Sequence, residues 1–180
     1  MKKLISSLMI AAAGLTLASC DTAPKNEAAK SEQTTGVDQT IANFKAKDPS
    51  MANLFNTAYG YAVFTNVGKG GLIVGGAHGK GQVFEQGRLV GYASLSQATV
   101  GAQIGGQSFD EIIFFETREA LNKFKSSEWT VAAQATAVAA ASGAAANARY
   151  SDGVMIFTLG EKGLMVEAAV GGQKFKYEPL

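Results

Sequence analysis

The stretch GKGGLIVGGAHGKG, residues 68 to 81, gathers seven glycines, Lys69, Lys80 and the chain's only histidine, His78. Such residues cradle phosphate when their spacing is right. A P-loop needs a glycine, four residues and then Gly-Lys-Ser/Thr, because the hydroxyl must reach the metal. Here Gly70 and Gly81 follow the two Gly-Lys pairs, and Val63 and Val74 stand where the first glycine belongs. The dinucleotide fingerprint fails too: Gly79 and Gly81 would need a third glycine where Phe84 stands. His78 has the chemistry of a base or a metal ligand, but a catalytic triad needs a partnered histidine and a metal site more than one good ligand. The carboxylates Asp110, Glu111 and Asp152 are not spaced to join it. The residues point away from an enzyme and imply neither metal nor cofactor.

Glycines recur at 91, 101, 105, 106, 153, 163, 171 and 172. Glycine within strands permits bulges, sharp curvature and close backbone approach. A distribution this wide predicts a strongly curled, barrel-like antiparallel sheet rather than one binding loop.

The lone cysteine has a clearer context. Lys2 and Lys3 precede an apolar run from Leu4 to Leu17 that is too short for a stable membrane span, and the run ends in LASC, residues 17 to 20. This resembles the lipobox of bacterial lipoproteins, which implies cleavage after residue 19 and acylation of Cys20, with palmitate-class chains. An ordinary secretory leader with a free thiol at Cys20 is the alternative reading. With one cysteine there is no internal disulfide, so the exported domain must stand on its own core. The 16 basic and 15 acidic side chains nearly cancel. That balance lacks the positive excess of a non-specific nucleic-acid binder. Any attraction to anionic lipid must come from a local patch.

Residues 21 to 36 are polar and small and predict a flexible tether. Val37, Ile41 and Phe44 then recur at helical spacing, with Asp38 early and Lys45 and Lys47 late, which predicts a short amphipathic helix. Asp48-Pro49-Ser50 ends it and begins a turn through Met51, Leu54 and Phe55. From Tyr59 on the pattern is mostly β. Gln86-Gly87 between apolar runs marks a hairpin, Ile112 to Phe115 a buried strand, and Thr117 the cap of one further helix with Leu121 and Phe124 on its apolar face. From Trp129 to Ala148 no residue is charged. On propensity alone, helix and small-residue strands compete there.

Two long blocks, AYGYAVFTNVGKGGLIVGGAHGKGQVF and GYASLSQATVGAQIGGQSFDEIIFFETREALNKF, together with the later EKGLMVEAAVGG, resemble the SYLF domain. The resemblance runs from about Val37 to Tyr177. It implies an α+β lipid-binding module, a β conformation for the alanine-rich segment, and a membrane role for the N-terminal amphipathic helix. Thr65 stands where many members have proline, and Tyr92-Ala93 where eukaryotic members have Trp-Ser. Actin association, a property of some eukaryotic members, does not carry over to a chain with a bacterial lipobox.

The combined expectation is a signal peptide over residues 1–19, a lipidated tether over 20–36 and one SYLF-like domain over 37–180. The protein would sit on the periplasmic side of the bacterial envelope, and Asp21 after the cysteine favours the inner membrane over the outer. Its domain would bind anionic phospholipid peripherally, with Ile41 and Phe44 entering the bilayer and Lys45, Lys47, Lys69 and Lys80 meeting headgroups. The second reading is an envelope scaffold that binds a protein partner and touches membrane only through its acyl chains.

Overall fold

In a computed structural model the described residues are 22–70, 74–100, 107–126, 129–131, 136–139, 141–160, 168–169 and 172–180. Cys20, and most of the alternating segment TVGAQIGG, lie outside them.

Two helices open the described chain: α1 (Glu27–Lys47) and α2 (Met51–Thr57). Four long strands follow: β1 (Gly60–Gly70), β2 (Val74–Glu85), β3 (Arg88–Val100) and β4 (Gln107–Phe115). After α3 (Arg118–Lys125) come β5 (Thr136–Ala139), α4 (Ala144–Asn147), β6 (Val154–Gly160), β7 (Ala168–Ala169) and β8 (Lys174–Pro179). The strand order is β7-β5-β6-β4-β1-β2-β3-β8. From β6 to β8 this is a six-strand antiparallel core, while β5 runs parallel to β6 and pairs with β7 at the other edge.

The α+β class therefore holds, but the barrel does not form: the sheet is open, with β7 and β8 as its edges. The central strands explain why. On β4, Ile113 and Phe115 enter one apolar cluster with Phe64, Leu95, Phe124 and Phe175, whereas Ile112 and Phe114 enter a second with Val63, Phe44 and Phe157. A closed barrel buries one face of its strands and leaves the other outside. Strands apolar on both faces need cover on both. Here α1, α2 and α4 cover one side, and α3 with Trp129 packs on the other.

Local chemistry sets the turns as expected. Gln86 (φ 49°) and Gly87 (φ 76°) form a two-residue hairpin between β2 and β3, the pair of positive φ values that matches the twist of the strands. Thr117 caps α3, its hydroxyl accepting from the Ala120 N–H at 3.2 Å. Gly81 and Gly91 are among the glycines that permit close approach. A Cβ at Gly81 would strike the Val63 carbonyl oxygen, and one at Gly91 would come 2.6 Å from the Tyr177 ring, whose hydroxyl donates to the Val90 carbonyl.

Two expectations need correction. The segment read as a flexible tether is helical from Glu27, because Asn26 accepts from the Ala29 N–H at 2.9 Å and caps a helix that runs on to Lys47. The expected helix over 37–47 is only its second half. The first half is held to the sheet by polar bonds: Gln33 donates to the Gly81 carbonyl at 3.2 Å, and Gln82 donates to the Thr34 hydroxyl at 3.0 Å. The alanine-rich segment is mixed, with β5 followed by the single turn of α4, since Gly143 (φ 79°) breaks the strand direction.

Candidate functional site

Side chains alternate across a strand, so β2, β3 and β8 each send every second residue to one face. On these strands Ala77, Leu95 and Phe175 point into the first core cluster. The opposite face carries His78 and Lys80 from β2, Ser94 and Ser96 from β3, and Lys174 and Lys176 from β8. The register aligns them. His78 pairs with Ser96, which pairs with Lys174; Lys80 pairs with Ser94, which pairs with Lys176. Two rows result, each a basic residue, a hydroxyl and a lysine, with the outer members about 10 Å apart. The rows are about 7 Å from one another along the strands.

All of these side chains are exposed except Ser94, which is half-buried and within 3.3 Å of the Thr22 hydroxyl. Around them the floor is low, because Gly68, Gly76 and Ala98 are exposed on the same face. Glycine at the ends of β1 and β2 thus keeps a patch of sheet flat and open. Among the described residues Lys80, Lys174 and Lys176 have no carboxylate partner; the two ion pairs there are Lys30–Glu27 and Lys125–Glu85. Glu178, next along β8, is engaged by the Ala23 N–H at 3.3 Å. Cations standing over hydroxyls and small residues form a surface that attracts anions.

The expected contact residues fall differently. Phe44 is fully buried and Ile41 is half-buried against the same cluster, so the apolar stripe of α1 packs on the sheet and is not free to enter a bilayer. Lys45 and Lys47 are exposed on the last turn, Lys45 with its Nζ 4.6 Å from the Phe55 ring centroid, a cation–π contact. They lie roughly 20 Å along α1 from Gln33, the residue beside Gly81. Lys45 and Lys47 are therefore not brought together with Lys80. Lys69 has a backbone place in β1 opposite Ala77. Lys174 and Lys176 were not among the expected residues. The alternation Lys174-Phe175-Lys176-Tyr177 was the available signal, since an apolar inner face puts both lysines outside.

Asp48 was also missed as more than a helix stop. It is fully buried at the corner between α1 and α2. Its carboxylate accepts from the N–H and hydroxyl of Ser50, from the Gly143 N–H at 3.0 Å and from the Ala145 N–H at 2.7 Å. Burial alone would raise its pKa, but these bonds outweigh it and hold the carboxyl below the ordinary aspartate value. Asp48 ties α2 to α4. On the other face, Glu111 is fully buried and accepts a hydrogen bond from Gln173 at 2.9 Å. Burial pushes its pKa up to about 8.

Residues 96–178 match the model of the family described as Ysc84, Las17-binding protein actin regulator. The chain is also 31% identical over 144 residues to beta cell expansion factor A of Aeromonas veronii, a match covering 78% of this chain and 54% of that protein. The chain thus spans about half the length of the relative it matches. The end of β3 and strands β4 to β8, with the two rows' Ser96, Lys174 and Lys176, fall in the matched region, and that region belongs to the Ysc84 (SYLF) family.

Proposed function

We propose that the domain binds the surface of an anionic membrane peripherally, through the exposed face of β2, β3 and β8. The observation that carries this reading is the pair of rows His78–Ser96–Lys174 and Lys80–Ser94–Lys176, whose lysines are free of carboxylate partners among the described residues. A lysine near an anionic bilayer contributes about 1 kcal/mol. Three lysines on a flat face therefore supply modest, salt-sensitive attraction, which suits a protein also held by an acyl chain. In this reading Cys20 is lipidated, the chain resides on the periplasmic side of the envelope, and the domain lies down on the membrane that anchors it. Among the described residues no helix is long and apolar enough to cross a membrane.

The test uses the chain from residue 20 onward, without the leader, carrying Cys20→Ser, which removes the acyl anchor. It should sediment with phosphatidylglycerol-containing liposomes and not with phosphatidylcholine alone, and the binding should fade between 50 and 300 mM salt, as expected for charges screened over about 10 Å at 0.1 M. Replacing Lys80, Lys174 and Lys176 by Gln should lower binding on the order of 100-fold, given about 1 kcal/mol per lysine. A Cys20→Ser chain that ignores anionic liposomes would overturn the reading and leave the scaffold function.

A further inference from the structure

A cavity of about 500 Å³ opens between α2, α4 and the start of β6, on the helix-covered side of the sheet. Its size lies within the range of small-molecule sites. The floor is apolar: Leu54, Ala145 and Met155 are buried members of the second core cluster. Polar groups stand elsewhere in the lining, from Asn53, Arg149 and Tyr150. Arg149 is exposed and gives one N–H to the Ala148 carbonyl at 2.9 Å. No carboxylate pairs with it among the described residues, which leaves further guanidinium donors for a ligand. Tyr150 is half-buried, and burial, then the nearby Glu116, raise its pKa, so its hydroxyl stays protonated and can donate.

The walls are fixed rather than merely adjacent. Asp48 accepts from Ser50 at the start of α2 and from Gly143 and Ala145 at the start of α4, which clamps both sides of the opening. That carboxylate is buried and turned to these four donors, which offset its charge.

We propose that this cavity is a binding site for a single-chain amphiphile with an oxyanion head, the chain lying on Leu54, Ala145 and Met155 and the head meeting Arg149 and Tyr150. An apolar floor with one unpaired guanidinium in its lining matches such a molecule in both parts. A neutral chain would leave the guanidinium unused, and a small polar anion would leave the floor uncovered. The site is separate from the lysine rows: Met155, Phe114, Tyr61 and Phe84 are successive cross-strand neighbours, which sets Lys80 four residues farther along β2 than the level of Met155.

Isothermal titration of the Cys20→Ser chain below the micellar concentration tests the site, with decanoate, dodecanoate, dodecyl phosphate and dodecanol as probes. Dodecanoate should bind saturably at one site and more tightly than decanoate, by about fourfold per methylene. Carboxylate and phosphate heads binding alike supports a general oxyanion site; a preference for one supports the site and assigns its head. Arg149→Gln should weaken both anions at least tenfold and leave dodecanol unchanged. Ala146→Trp, an exposed position in the lining, should block all four probes while the circular-dichroism melting curve stays that of the parent. The absence of saturable binding, or equal binding by the parent and both variants, would overturn the proposal. Neither variant touches the lysine rows, so liposome binding by both should stay at the parent level.

Discussion

At the residue scale, the buried carboxyl of Glu111 makes the clearest prediction. Unfolded, it releases its proton near the ordinary glutamate value of 4.5; folded, it keeps the proton to about pH 8. The folded state therefore binds the extra proton across that window, and stability falls as pH rises through it. The contribution is fully present only below the unfolded value and is lost above about 8. Glu111→Gln removes the titration while keeping the shape. Urea unfolding should show the variant gaining on the parent as pH climbs from 5 to 8.5, by on the order of 3–5 kcal/mol at the upper end. Parallel pH profiles for the two proteins would contradict the assignment. Sequence alone placed Glu111 beside Asp110 as an available carboxylate; its burial follows from the pairing of β4 between β1 and β6 and from Gln173 closing on it.

At the element scale, α1 and its corner with α2 depend on Asp48. Its four accepted bonds satisfy the start of α2 and the two N–H groups that begin α4. Asp48→Ala leaves the buried Ala145 N–H without its partner and should cost on the order of 3 kcal/mol in chemical denaturation. The loss should be smaller for Asp48→Asn, which keeps an acceptor oxygen. Equal stability of Asp48→Ala and the parent would show that the junction carries no such role. The same corner explains how much was legible. Asp-Pro-Ser announced a helix end, and the apolar spacing of Val37, Ile41 and Phe44 announced a packed stripe. What that stripe packs against was not legible. A stripe of three apolar residues fits a bilayer and a sheet equally well, and only the sheet's second apolar face, built from Val63, Ile112 and Phe157, decides between them.

At the scale of the whole molecule, the domain begins earlier than its apolar pattern. Residues 27 to 36 carry no large apolar side chain, yet they form the first half of α1 and reach β2 through Gln33 and Thr34. A chain starting at Val37 should melt lower than one starting at Thr22, on the order of 5 °C if about 2 kcal/mol is lost. Coincident melting curves would return this segment to the status of a tether.

The sequence by itself determined the family, the α+β class, the hairpin at Gln86-Gly87, the capped helix after Thr117 and the absence of phosphate-loop spacing around Lys69 and Lys80. These features rest on local rules, such as turn residues, caps, alternation and motif order, which neighbouring positions in the chain already state. The open sheet, the burial of Phe44, the meeting of Lys80 with Lys174 and Lys176 across β3, and the cavity beneath Arg149 were decided by the tertiary structure. Each depends on which strand lies beside which and which face each helix covers. Residues 80 and 176 become near neighbours only once β8 has paired with β3, and no spacing along the chain encodes that pairing.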